Sequence, residues 1–326
     1  MARVLLRIVV VLGLWLDWLR GRRRLGPGLH VTRRGAGCLT TLCRLGFRLV
    51  LLDGDGMLAR GQRFLDTRNQ IEKSNYVIAW GNNPAISKQG YFQRFEKMME
   101  NGGKFVVIDP ICTESAAKAS EWIQPWPGTD AALALAMIKI VIDEDLFDKE
   151  FTLAHTCAPC LVDKTTGEPV LQDKDDPTSF VVFDTKSNEI VRHDKEGIEA
   201  ALKLDGTSAA DAYNTEFELI YAEAEKWDSA AAEAECRVPA DIERIAREYA
   251  QADKAMIIQN MGGFMRTENG TNAVGTQLYL AALCGHVGHE GDGISDAGGV
   301  NEVKTGSPIE VPKVEDPAPS IPRFKF

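Results

Sequence analysis

An α/β fold built around a parallel sheet is the architecture this sequence predicts, and three observations carry the expectation. Tyr76–Trp80 (YVIAW) is a short apolar run with β-branched residues, and it stops at the dense turn signal Gly81-Asn82-Asn83-Pro84. Gln89–Glu100 sets Phe92, Phe95, Met98 and Met99 at helical spacing and ends at Asn101-Gly102-Gly103. Lys104–Ile108 (KFVVI) is a second apolar run, closed by Asp109-Pro110. Strand, helix and strand in such close succession make one βαβ unit, which implies parallel strands.

The later elements follow the same logic. Past Trp122-Ile123 and the loop Pro125-Trp126-Pro127-Gly128, Thr129 or Asp130 can cap a helix running through Ala131-Ala132-Leu133 to about Ile142. That helix is nearly all apolar, so it is expected to be buried. Residues 160–195 change character: LVDKTTGEPVLQ and SFVVFDTKSNEIVRHD each read as two short strands about a polar turn, a small β-hairpin insertion. Residues 196–235, acidic and alanine-rich, read as helices and linkers. Pro239 then opens a helix with Ile242, Ile245, Ala246 and Tyr249 on one face, and Ala255–Gln259 (AMIIQ) is a strand running into Asn260-Met261-Gly262-Gly263. A helix from about Thr271 to Cys284 ends at Gly285. HEGDGISDAGGVNEV reads as glycine-rich loop, and VPKVEDPAPSIPRFKF has no packing pattern. The expectation is a Rossmann-like parallel sheet in an α/β part over residues 54–159, the insertion over 160–235, a returning α/β part over 236–303 and a truncated tail over 304–326.

The first 53 residues stand apart. Residues 1–52 hold ten Arg, one Asp, no Lys and no Glu, a charge of +9, in a chain of 326 residues whose net charge is -10. RLGPGLHVTRRGAGCLTTLCRLGFRLVLL has no sustained helix or strand period and reads like a GC-rich gene translated out of frame, so a poorly structured N-terminus is expected. The rival reading is a weak membrane or export signal: Val4–Leu19 is apolar but interrupted by Asp17, and Arg22, Arg23 and Arg24 follow the run, whereas a twin-arginine signal wants its arginines before it. Beyond this segment the chain is acidic, which argues against nucleic acid as a partner. Seven cysteines, Cys38, Cys43, Cys112, Cys157, Cys160, Cys236 and Cys284, include no four-cysteine iron–sulfur run. The pair in HTCAPC, Cys157 and Cys160, reads as incidental thiols, since no second pair or His pair completes a zinc site.

Ligands of open parallel sheets bind outside the carboxyl ends of the strands. Three loops leave such ends here, Gly81–Pro84, Asp109–Thr113 and Asn260–Arg266, and a fourth, Pro127–Asp130, opens a helix. Small residues let backbone N–H groups approach phosphates, and an acidic residue at Asp109 is suited to ribose hydroxyls. Singly, each feature also has a structural reading: Asp130 as a cap, Asn82 and Asn83 as turn formers, Gly262-Gly263 as a bend.

Taken together, WGNNPA after a strand, VVIDP with Thr113 following, PGTDAALALAMIKIVIDEDLFDKEF, and QNMGGFMRTENG leading to LAALCGHVGHEGDG resemble successive signatures of the dimethyl sulfoxide reductase family of molybdopterin-guanine-dinucleotide oxidoreductases. The resemblance spans roughly Gly54 to Val303, with PGTDAAL and DLFDKEF its most specific part. It implies that Gly81, Asn82 and Asn83 lie beside the dinucleotide, Ile108 and Asp109 near its ribose, Gly128, Thr129 and Asp130 at the guanine, and Gly262, Gly263 and Arg266 at the pterin or its phosphates. Two positions depart from the pattern: the Arg often found after Asp-Pro is Ile111, and the Arg often preceding Pro-Gly-Thr-Asp is Trp126. The implied cofactor is molybdopterin guanine dinucleotide (Mo-bis-MGD), the implied chemistry an oxygen-atom or two-electron transfer to a small-molecule substrate in anaerobic respiration. The implied partners are iron–sulfur electron-transfer and membrane-anchor subunits, often on the outer side of the cytoplasmic membrane. The family's iron–sulfur domain, molybdenum ligand and C-terminal domain fall outside the resembling region, so a fragment inactive alone is expected, with no catalytic residue or metal ligand assigned. Two other classes remain: a non-catalytic structural subunit of the same fold, like the large subunit of respiratory complex I, which the PGTD block disfavours, and an independent nucleotide-binding dehydrogenase, which would need a glycine fingerprint not found here.

Overall fold

The computed structural model describes residues 67–176, 178–238, 241–260 and 263–296. After a 3-10 helix at Thr67–Lys73, the chain runs through β1 (Tyr76–Trp80), α1 (Pro84–Ser87), α2 (Gln89–Glu100), β2 (Lys104–Ile108), α3 (Glu114–Lys118), β3 (Glu121–Ile123), α4 (Asp130–Asp143) and α5 (Lys149–His155). An inserted region follows with β4 (Leu161–Asp163), β5 (Val181–Asp184), β6 (Glu189–Arg192), β7 (Tyr213–Thr215), α6 (Glu216–Ala224) and α7 (Ser229–Cys236). The α/β part then returns as α8 (Ile242–Gln251), β8 (Ala255–Gln259), a 3-10 turn at Phe264–Arg266, α9 (Gly270–Leu283) and β9 (Gly293–Asp296).

The main sheet has the order β3-β2-β1-β8-β9, parallel throughout. Strands to one side of β1 come next in the chain and strands to the other side come later, so the order reverses between β1 and β8. The register makes that point accessible: Trp80 lies opposite Ile108 and Gln259, Ile108 opposite Ile123, and Gln259 opposite Asp296. All five carboxyl ends therefore reach the same level, and the loops leaving them share one edge.

Side chains alternate across a strand. Val77, Ala79, Phe105, Val107, Met256 and Ile258 face one way, into a cluster with Phe92, Phe95 and Met98 of α2 and Ile71. Phe95 stacks on Phe92 and meets Phe105 at a centroid distance of 4.8 Å. Emptying such a buried ring to Ala costs about 3–5 kcal/mol. The opposite face is tied to α4, α8 and α9: Trp80 bonds Asp130, Tyr76 meets Tyr249 edge-on, and Gln259 bonds Gln277. Helix α4 is buried along nearly its whole length, as its unbroken apolar sequence predicts.

The α/β architecture, the parallel sheet and the β5–β6 hairpin agree with the sequence reading. Other elements differ. LVDKTTGEPVLQ folds back about its polar turn, with the Asp163 N–H on the Glu168 carbonyl and the Val170 N–H on the Leu161 carbonyl. Its second arm is only a single bridge, however, and β4 takes its strand partner from β7, some fifty residues on. GISD, read as loop, is the strand β9 at the edge of the described sheet, where one apolar residue, Ile294, suffices because among the described residues only one side pairs. The helix after Pro239 starts at Ile242 with Asp241 at its cap, and Pro239 itself lies outside the described residues. Neither Thr129 nor Asp130 caps α4 through its side chain. Thr129 Oγ1 donates instead to the Trp126 carbonyl at 2.7 Å. Residues 1–53 and 304–326 lie outside the described residues. Among those described, no helix is long and apolar enough to cross a membrane. Cys157 and Cys160 are buried with Val182 in the insertion and form no disulfide.

Candidate functional site

The carboxyl edge of the sheet is built from short, crowded turns. The Gly81 N–H extends the ladder by donating to the Ile108 carbonyl at 2.8 Å, and its φ of +57 is left-handed. A Cβ there would stand 2.8 Å from the Phe264 ring, and a Cβ on Gly263 would stand 3.2 Å from the Gly81 carbonyl oxygen. These two glycines let the loops after β1 and β8 touch at the point where the strand order reverses. Gly262 lies outside the described residues.

Asn82 is 1% exposed, and its Nδ2 donates to the Gln259 carbonyl at 3.2 Å, bridging the same point. Its Oδ1 accepts no hydrogen bond among the described residues. A buried acceptor without a donor is costly, so a group that donates here would be held. Asn83, in contrast, is spent on structure: Nδ2 donates to Glu114 at 2.8 Å, and Oδ1 accepts from the Ser115 hydroxyl at 2.7 Å and its N–H at 3.2 Å. It ties the turn after β1 to α3.

At the end of β2, Ile108 is buried and contributes its carbonyl. Asp109 is half-buried; Oδ1 accepts the Ile111 N–H at 3.0 Å, and the backbone carbonyl accepts Trp122 Nε1 at 2.8 Å. Burial raises its carboxyl above the usual range, with that single backbone bond opposing. Ile111, where the resembled pattern has Arg, is 66% exposed and brings no charge.

Gly128, with φ +87, turns the chain into α4, and Thr129 is held by Trp126. Asp130 is 6% exposed and accepts Trp80 Nε1 at 2.8 Å. Its carboxyl is raised by burial, while the Trp80 bond pulls it down and the charge of Asp109 pushes it up. Arg266 ends the 3-10 turn after β8, exposed and without a carboxylate among the described residues. The sequence-selected residues thus gather at one edge, Gly262 excepted. Trp80, Gln259 and Phe264 were not foreseen, because a strand-end residue's reach across a sheet depends on register. Among the described residues no group of His, Cys, Asp and Glu is placed to hold a metal ion.

The sheet is an open parallel one whose order reverses beside β1, and ligands of α/β domains of this class bind at such a switch point. The family model described as molybdopterin oxidoreductase matches residues 37–306, and the chain belongs to that family. The match begins within the arginine-rich stretch, ahead of Gly54. Among curated proteins the chain is similar to the respiratory nitrate reductase subunit alpha of Haloferax mediterranei, with 28% identity over 71% of this chain and 26% of that one. It is also similar to the perchlorate reductase subunit alpha of Dechloromonas aromatica (30%, over 68% and 28%) and the assimilatory nitrate reductase catalytic subunit of Bacillus subtilis (30%, over 48% and 24%). The chain spans about a quarter of the length of these relatives.

Proposed function

We propose that this edge holds the nucleotide arm of a molybdopterin guanine dinucleotide, and that the chain is the cofactor-binding part of an oxidoreductase serving a small oxidised substrate in anaerobic respiration. The donor and acceptor set supports the reading. Asn82 Oδ1 is a buried acceptor with no donor among the described residues, Asp109 engages one carboxylate oxygen with the Ile111 N–H, and a guanosine offers N–H and O–H donors in excess. Gly81 and Gly263 let the loops after β1 and β8 close together at the switch point, and Arg266 supplies a positive charge toward phosphate. When bound, such a cofactor supplies the molybdenum at which an oxygen atom or an electron pair is exchanged. The residues of this chain bind and orient it and keep water from its inner face. Electron-transfer and membrane-anchor partners belong to the same proposal, as does a lack of turnover by this chain alone, since one sheet edge leaves the far side of the cofactor open.

The half-buried Asp109 carboxylate at the end of β2, with one oxygen on the Ile111 N–H, carries the reading. Titrating the wild-type chain and Asp109→Asn with guanosine tests it: a charged hydrogen bond is worth about 1.5–3 kcal/mol, so the variant binds about tenfold or more weakly. Equal affinities, or a wild-type chain that does not bind guanosine, contradict it. Assayed with reduced viologen on S- and N-oxides, the chain expressed in a cofactor-making host is expected to give no turnover.

A further inference from the structure

The arginine side chains of this structure divide in two. Arg94 pairs with Glu72, Arg192 with Asp176 and Asp194, Arg244 with Glu121 and Glu248, and Arg247 with Glu144 and Glu243. Arg237 and Arg266 meet no carboxylate among the described residues, although the chain is acidic. Arg266 belongs to the loop after β8. Arg237 comes from the far end of the inserted region, and the fold returns it to the same edge.

Its placement is specific. The Trp126 N–H donates to the Cys236 carbonyl at 2.7 Å, and Cys236 Sγ approaches the Thr129 carbonyl at 3.5 Å, so residues 236–237 clamp the turn that leads into Asp130. The Arg237 guanidinium carbon lies 3.8 Å from the centre of the Trp126 ring, in contact with its face. A guanidinium stacked this way keeps its in-plane N–H donors free to grip an oxyanion. Trp126 is 51% exposed and Arg237 is exposed, so the stack opens to solvent. The backbone adds a second sign: Arg237 ends α7 with φ 55 and ψ 29, a left-handed position that favours glycine. A long cationic side chain kept at such a position points to use of its head group.

We propose that Arg237, laid on Trp126, is a phosphate-binding residue of the nucleotide site. It supplies beside Gly128–Asp130 the positive charge that Trp126 and Ile111 do not. The inference rests on the nucleotide reading of the edge and adds a residue that no motif in the sequence marks. Trp126 is the platform that orients the guanidinium, and Arg237 gives two N–H donors to phosphate oxygens. The base and ribose are recognised by other residues, so the contribution of Arg237 is confined to ligands that carry phosphate.

The test is a calorimetric titration of the full chain with guanosine diphosphate and, separately, with guanosine. Arg237→Gln is expected to weaken the diphosphate about tenfold and to leave guanosine within about twofold. Arg237→Gly, which suits the left-handed backbone, is expected to lose the same diphosphate affinity while its urea midpoint rises, separating binding from folding. Trp126→Leu is expected to weaken the diphosphate and to shrink the further effect of Arg237→Gln. Unchanged diphosphate affinity in Arg237→Gln, or equal weakening of both ligands, overturns the role of Arg237. In that case guanosine affinity that still depends on Asp109 leaves the nucleotide reading standing. A wild-type chain that takes up neither ligand overturns both.

Discussion

Replacing Gly81 with Ala puts the contact between the loops after β1 and β8 under direct strain. Two costs add. Gly81 sits at φ +57, where an L residue carries roughly 1–2 kcal/mol of steric penalty. The new Cβ would also meet the Phe264 ring at 2.8 Å, and Phe264 is itself 5% exposed and has little room to retreat. Overpacking of this kind costs about 1–3 kcal/mol. The variant should therefore lose roughly 2–5 kcal/mol in equilibrium urea unfolding. Adding Phe264→Leu to Gly81→Ala separates the parts: the collision is relieved and the backbone penalty stays, so the double variant is more stable than the two single effects summed. A loss below about 0.5 kcal/mol in Gly81→Ala, or strict additivity with Phe264→Leu, would refute the packing described at the switch point.

Trp80→Phe removes the indole donor from Asp130, a charged hydrogen bond worth about 1.5–3 kcal/mol, and because that bond favours the ionised carboxylate, the deficit should narrow as pH falls through the carboxylate range. A deficit independent of pH would assign the loss to packing. At the opposite edge, Asp292 accepts the Ala255 N–H at 2.8 Å, and burial pushes its carboxyl up to about 6. A raised folded value means that its contribution to stability is complete below the unfolded value, near 4, and is lost as pH rises through about 6. His286, whose burial lowers its value, works in the other direction and loses its contribution as pH falls. His286 and His289 approach Asp292 at 3.9 and 3.6 Å, so the comparison of wild type with Asp292→Asn is made beside His286→Gln in both backgrounds. The Asn variant, which keeps the acceptor, should gain on its parent by roughly 1–2 kcal/mol between pH 4 and 8 once solvent screening is discounted. A flat difference in thermal or urea unfolding across that window would count against it.

Much of the fold was legible because local chemistry and packing agree. YVIAW and KFVVI are buried on both faces, so they read as central parallel strands, and the spacing of Phe92, Phe95 and Met98 is that of the face they bury. GISD and EWI were not legible as β9 and β3, since short edge strands need few apolar residues and their pairing is decided by neighbours distant in sequence. The same distance hid β7, which needs β4 to be a strand. At the site, the turns could be placed from Gly81, Gly128 and Gly263, but side-chain roles could not. Asn83 and Thr129 turn out to hold the scaffold, whereas Asn82 keeps an unclaimed acceptor. Arg237 had no local signal at all, because Trp126 gives it meaning from more than a hundred residues away.

Hydrogen exchange of the full chain with and without saturating guanosine diphosphate tests the central claim most directly, since it maps the ligand without relying on any one substitution. The account predicts slowed exchange in the segments around 81–83, 109–113, 126–130, 237 and 263–266, with the β5–β6 hairpin and the opposite sheet edge near Asp292 unchanged. Protection confined to the hairpin or to that opposite edge, with the carboxyl-edge loops unaffected, would contradict it.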